Sequence, residues 1–175
     1  MIESFLEVFP SREKCVTEIS NKHSFVYEHP DLKKGVFVND NEIFHVHIEN
    51  DSFENYHFVQ NDDCVMKSVK GGQCDYVVFN KEIIHFIEVK ASKGTLKTIS
   101  SLKKDVYKQL ENTFKFYMDF LEKFENRFAL ACFENVNHRG YTKRKIPQSS
   151  KSEKKLLFKM KYNIELLEGN FIKFD

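Results

Sequence analysis

The apolar residues Leu102, Val106, Leu110, Phe114, Tyr117, Leu121 and Phe124 recur at intervals of three or four, and only a helix places such a set on one face. The stripe predicts a long amphipathic helix over residues 101–124, with lysines and acids filling much of its other side. Short segments rich in β-branched and aromatic residues flank it. Residues 74–79 and 83–89 lie either side of Asn80-Lys81-Glu82 and read as a hairpin, with Gly71-Gly72 marking a tight entry. Residues 128–133, FALACF, are too short for a helix and fit a buried strand. Strand, strand, long helix, strand in that order predicts an α/β chain, a mixed central sheet flanked by helices and crossed by one of them.

Elsewhere the pattern is weaker. Residues 42–48 and 55–60 flank Asp51-Ser52 and read as another hairpin, and residues 164–167 and 171–174 flank Glu168-Gly169-Asn170 as a terminal one. Residues 2–8 suit a short helix stopped by Pro10, which residues 13–19 extend or replace, and a polar loop at 148–154 leads into a helix through 156–160. At 175 residues, without a repeat or dividing linker, the chain is expected to form a single domain, 1–175.

Charge is unevenly spread although the formal net charge is only +1. Residues 1–88 hold 8 Lys/Arg against 16 Asp/Glu, while residues 138–161 hold 9 Lys/Arg and a single acid, Glu153. An acidic half and a basic segment suit cation coordination and polyanion contact respectively; the plainer alternative for the basic part is a solvated lysine-rich helix. Lys93, Arg139, Lys143, Arg144 and Lys145 are the candidate nucleic-acid-binding residues, with Lys97, Lys103, Lys104 and Lys108 adding charge nearby. The four cysteines show neither a C-x-x-C pair nor a secreted disulfide framework, and MIESFLEVFP has no basic-then-apolar signal pattern. No run is long and apolar enough to span a bilayer, so a reducing, cytoplasmic setting is expected.

The chemistry is concentrated in GGQCDYVVFNKEIIHFIEVKAS, residues 71–92. Strand alternation puts Ile84, Phe86, Glu88 and Lys90 on one side, and Asp75 on one side with Val77 and Phe79. The short connection at 80–82 brings Asp75 to the level of Glu88, gathering two carboxylates and an ammonium at one end of a sheet. Two carboxylates and a backbone carbonyl supply hard oxygen ligands for Mg²⁺, and a lysine beside them can serve a water or a developing phosphorane. The alternative is a cross-strand ion pair without a catalytic role. His45 and His47 form an H-x-H that could hold Zn²⁺ had it a third ligand, and the sequence offers no obvious one. His85 points away from Glu88 and reads as a packing histidine, and Cys74 projects away from Asp75.

CDYVVF followed by IHFIEVKAS resembles the PD-(D/E)XK nuclease superfamily, the fold of restriction endonucleases and Holliday-junction-resolving nucleases, and within it a group of small bacterial proteins with C-D-aromatic-x-V-F, V/I-E-x-K and Q-x-E-x-T. The resemblance is specific over residues 71–114, and Cys74 stands where the family's name has proline. It implies a restriction-endonuclease-like core and metal-dependent hydrolysis of phosphodiester bonds, in DNA before RNA. Asp75, Glu88 and the Val89 carbonyl would hold Mg²⁺, or Mn²⁺ in its place, with Lys90 and Gln109 completing the catalytic set. A further acid would come from Glu3, Glu7, Glu13 or Glu18, or from Asp62 or Asp63. Homodimers and larger defence-type complexes are implied as partners, and the alternative is a catalytically inactive nucleic-acid-binding or protein-interaction module on the same fold.

Overall fold

In the computed structural model the described residues are all of 1–175 except 41, 53, 92–95, 135–142 and 151–152, with the side chains of 91, 96–100 and 134 also left aside. In chain order the strands are β1 (Val16–Ile19), β2 (His23–His29), β3 (Lys34–Val38), β4 (Val46–Asn50), β5 (Tyr56–Gln60), β6 (Tyr76–Phe79), β7 (Ile83–Ala91), β8 (Asn126–Glu134), β9 (Gln148–Ser149), β10 (Glu165–Glu168) and β11 (Phe171–Phe174). The helices are α1 (Ile2–Val8), α2 (Leu96–Phe116), α3 (Met118–Leu121) and α4 (Glu153–Tyr162). The strands form two mixed sheets, one ordered β1-β5-β6-β7-β8-β10-β9 and the other β11-β4-β2-β3.

The large sheet is the middle of three layers, because its central strands carry apolar side chains on both faces. Val77, Phe79, Ile84 and Phe86 point to one face and meet Val106, Leu110, Phe114 and Tyr117 of the helical layer. Tyr76, Val78, Ile87 and Val89 point to the other and meet Val26, Val46, Ile48 and Phe174 of the small sheet. Alternation between two cores, rather than between core and water, explains the unbroken apolar run of β6. The helical stripe behaves as its periodicity requires: Val106, Leu110, Phe114, Tyr117, Leu121 and Phe124 are all buried. The helix ends about two turns early at Phe116 and resumes briefly as α3, so Phe124 lies beyond the end of both. α2 crosses from β7 to β8, which run parallel with Glu88 opposite Ala131.

Two expected hairpins are absent. Residues 42–48 and 55–60 separate, β4 joining the small sheet beside β11 and β5 the large sheet between β1 and β6. Likewise β10 pairs with β8 while β11 pairs with β4, so Glu168-Gly169-Asn170 carries the chain from one layer to the other. The backbone there is satisfied from outside: Gly169 donates to the Ala131 carbonyl and Asn170 to that of Lys145. A β-carbon on Gly169 would sit 2.8 Å from Pro147 Cα, so the crossing needs glycine. Residues 13–19 form a 3-10 turn, Glu13–Cys15, followed by β1, instead of extending α1.

The cysteines correct a second expectation, because Cys15 and Cys64 form a disulfide with their Cα atoms 5.7 Å apart. They are 49 residues apart in sequence, and only strand pairing joins them. Val16 lies opposite Val59, so Cys15 precedes β1 just where the chain leaves β5 into the turn Asn61–Val65.

Candidate functional site

β6 and β7 pair antiparallel with Tyr76 opposite Ile87 and Val77 opposite Phe86. Continuing that register sets Asp75 opposite Glu88, on the helix-facing side with Val77 and Phe86. The Val89 amide donates to Asp75 Oδ2 at 2.6 Å, fixing this carboxylate across the strand pair. Lys90 Nζ lies 2.8 Å from Glu88 Oε1. Asp75, Glu88 and Lys90 thus share one end of the sheet.

Long-range packing adds groups that lie far away in sequence. A cavity of about 260 Å³ in front of Asp75 is also lined by Glu28 of β2, Lys33 of the β2–β3 turn, Lys34 at the start of β3, Gln60, Asp62, Asp63 and Tyr76. The acids lining it besides Asp75 are Glu28, from the small sheet, with Asp62 and Asp63, while Glu3, Glu7, Glu13 and Glu18 are not among its lining residues. Gln60 holds the cavity's far wall, since its side chain accepts from Gly35 N at 3.1 Å and donates to Gly35 O at 2.7 Å. Gly35 itself must lack a side chain, because a β-carbon would meet the Tyr76 ring at 2.8 Å.

The electrostatics follow from burial. Glu88 is fully buried, and desolvation pushes its carboxyl up to about 7 against the pull of Lys90, with Glu28 and Asp62 adding to the rise. Asp75 is held well above the ordinary carboxylate range by burial, then by Glu88 and Glu28, while the Val89 amide acts in the opposite sense. Burial would lower Lys90, but Glu88, Asp75 and Glu28 outweigh it and leave the ammonium harder to deprotonate than usual. Glu88 Oε2 has no hydrogen-bond partner among the described residues. A buried carboxylate oxygen without a donor, beside further acids, is the environment in which a hard cation is most strongly favoured.

The residues that hold Asp75 in place come from α2 and from the turn after β5. Asn112 donates to the carbonyls of Gly71 at 2.6 Å and Gly72 at 3.3 Å, both glycines having positive φ. Thr113 Oγ1 accepts from Cys74 N at 2.9 Å. Gln109 donates to Gln73 O at 3.3 Å, so its observed contact is with the loop leading into Asp75, and Gln73 in turn donates to Asp62. Asn61, wholly buried, donates to Cys74 O at 2.8 Å and accepts from Tyr117 OH at 2.9 Å, while its amide donates to Asp75 O. Asn61→Ala should cost about 2–4 kcal/mol by stranding two buried groups. Tyr117→Phe should cost less, and the double variant less than the sum, since removing the hydroxyl removes one stranded donor. Strict additivity in urea unfolding would show that the two side chains are not partners.

Among the described residues, the basic candidates are not part of this cavity's lining. Lys93, Arg139 and the side chain of Lys97 lie outside the described residues. Arg144 is engaged with Glu49 at 2.9 Å and lies over the Phe171 ring. Glu49 pairs with His23, at the far end of β2 from Glu28. Lys143 and Lys145 are exposed, and Asn170 binds their backbone at 3.2 and 2.5 Å. Lys103 is paired with Glu168 at 2.8 Å, while Lys104 and Lys108 are exposed on α2. His85 packs on Phe128 and Phe174, as its face requires, and burial lowers its pKa to about 3. No protein-family model, no curated protein and no solved structure matches this chain.

Proposed function

We propose that the protein is a metal-dependent nuclease of the PD-(D/E)XK type, hydrolysing phosphodiester bonds in DNA in preference to RNA on a restriction-endonuclease-like core. The observation that carries this reading is the pairing of Asp75 with Glu88 on one sheet face, with Lys90 against Glu88. The antiparallel run β5-β6-β7, followed by the α2 crossover to parallel β8, is consistent with that core.

Asp75, Glu88 and the Val89 carbonyl would hold Mg²⁺, or Mn²⁺ in its place, and Glu28 and Asp62 stand close enough to shift the titration of Glu88. Bound there, the ion would supply Lewis-acid polarisation of a phosphoryl oxygen and a more acidic water. Lys90, released from Glu88, places positive charge where the phosphorane builds up. Gln109, Asn112 and Thr113 keep the 71–74 loop, and with it Asp75, in position. Lys33 and Lys34 at the cavity rim offer contacts to flanking phosphates, a role that Lys143 and Lys145 can extend only if the nucleic acid bends across the molecule.

No helix among the described residues is long and apolar enough to cross a membrane. A nuclease acting on intracellular DNA would work in the cytoplasm, alone, as a homodimer or in a defence-type complex. The rival is a non-catalytic binding module, favoured by the closed contact between Glu88 and Lys90. Purified protein incubated with supercoiled, linear and single-stranded DNA in Mg²⁺ or Mn²⁺ should cleave, and chelation should stop it. Lys90→Ala should lower the rate by roughly 10²–10⁴-fold, and Asp75→Asn should abolish metal-dependent cleavage. Equal cleavage by all three proteins would dismiss the site, whereas DNA binding without metal uptake or cleavage would establish the module. Affinity for duplex DNA should fall linearly on a log–log plot against salt, and a flat response would exclude the lysines as phosphate contacts.

A further inference from the structure

A second group of ligating side chains lies on the small sheet, away from the acidic cavity. β2 and β4 run antiparallel with His23 opposite Glu49 and Phe25 opposite His47. His47 and Glu49 are two residues apart on one strand and His23 faces Glu49, so all three project from the same face of the sheet. His47 Nε2 lies 3.3 Å from His23 Nδ1, and His23 Nδ1 lies 3.9 Å from Glu49 Oε2. The three ligand atoms fall within 4.8 Å of one another.

We propose that His23, His47 and Glu49 form a binding site for a borderline transition-metal ion, Zn²⁺ in the first instance, with a fourth position open to water. Zinc–nitrogen bonds of about 2.0–2.1 Å in a tetrahedron set neighbouring nitrogens roughly 3.3–3.4 Å apart, which is the spacing of these two rings. Two imidazoles and one carboxylate select zinc, nickel or copper over magnesium or calcium, which prefer oxygen. His47 is already immobilised, its ring stacked on Phe25 at 4.4 Å and flanked by Phe171 at 5.2 Å, so little freedom is lost on binding. His23 is half exposed, leaving the fourth position accessible to solvent. Arg144 donates to Glu49 Oε2 at 2.9 Å and orients the carboxylate as outer-shell partners of metal ligands do.

The H-x-H of the sequence is thereby divided. His45 accepts from the Glu28 amide at 2.7 Å and stacks on Tyr27, serving the acidic side of the molecule. His47 turns to a strand 24 residues earlier for its companion. His23 and Glu28 are five residues apart on β2, about 17 Å at strand rise, so the zinc site and the acidic cavity are separate.

The test uses the full chain carrying Asp75→Asn and Glu88→Gln, which removes the two proposed nuclease ligands, and assigns any remaining uptake by its dependence on His23, His47 and Glu49, so the outcome is independent of the nuclease reading. Titration with Co²⁺ should develop the visible bands of four-coordinate cobalt at one equivalent, displaced by Zn²⁺ and not by excess Mg²⁺. His47→Ala and Glu49→Gln should remove the bands, and His23→Ala, at a half-exposed position where folding is not at stake, should weaken binding by at least roughly 10–100-fold. Absence of cobalt bands in the parent, or undiminished binding by His23→Ala, would overturn the proposal.

Discussion

Glu88→Gln should abolish metal-dependent cleavage and at the same time stabilise the metal-free protein. The loss follows from removing one of the two carboxylates that face each other across β6 and β7. Losing several kcal/mol of transition-state stabilisation corresponds to on the order of 10³-fold in rate. The gain follows from the same geometry, because Glu88 is fully buried and Oε2 finds no donor among the described residues. An uncharged amide of equal size avoids the desolvation of a carboxylate, and Lys90, whose side chain is 31% exposed, can turn to water.

The sign of the pH dependence separates this account from a general effect of substitution. A carboxyl raised from 4.5 to about 7 binds a proton in the folded state that the unfolded chain has released. Wild-type stability attributable to Glu88 is therefore fully present below pH 4.5 and is lost as pH rises through 7. His47 and His85 act in the opposite sense, lowered by burial to about 4 and about 3, so their contribution is lost as pH falls below 6.5. Both histidines remain in the variant and cancel in the difference between the two proteins, which reports Glu88 together with its coupling to Asp75 and Lys90. That difference should grow from near zero at pH 4.5 to about 1–3 kcal/mol at pH 8, read by urea unfolding without metal. Saturating Mn²⁺ should raise the wild-type thermal midpoint and leave that of the variant unchanged. A variant less stable than wild type at pH 8 would mean that Glu88 is held by Lys90 as a structural ion pair.

Legibility in the sequence followed the range of the interactions. The β6–β7 hairpin, the α2 stripe and the β8 strand depend on periodicity within twenty-odd residues, and each lies where the pattern puts it. The level of Asp75 with Glu88 was equally accessible, because a three-residue connection fixes the register. Glu28, Lys33 and Lys34 gave no such signal. They reach the cavity only because the small sheet packs on the large one and Gln60 clamps Gly35. The mistaken hairpins share that cause: consecutive strands at Asp51 and Gly169 change layer, and turn residues serve a crossing as well as a hairpin. Gln109 lay on the expected helix, yet its neighbours Asn112 and Thr113 carry the shorter bonds to the loop before Asp75.

The disulfide should contribute about 4 kcal/mol, since Cys15–Cys64 closes a 49-residue loop whose freedom is otherwise regained on unfolding. For a domain of this size that corresponds to a fall of roughly 8–16 °C in the thermal midpoint on reduction. The effect should extend to the site. The turn Asn61–Val65 carries Asp62 to the cavity and donates through the Asn61 and Asp62 amides to the Asp75 carbonyl, while Cys64 anchors it to the start of β1. Freed of that anchor, the turn keeps Asn61's bonds to Cys74 and Tyr117 and the bond from Gln73 to Asp62 as side-chain ties, the last on a loop residue that can move with it, so Asp62 should sample a wider range of positions. Reduced protein, or Cys15→Ser, should therefore bind Mn²⁺ roughly 10-fold more weakly, a loss typical of disturbed outer-shell support, with the fold retained by circular dichroism. A cytoplasmic nuclease would live with this weaker form, because disulfides there are ordinarily reduced; an oxidising compartment would supply the tighter one. Equal midpoints for the oxidised and reduced forms, or all four cysteines reactive to a thiol reagent in denatured, unreduced protein, would remove the bond and both consequences with it.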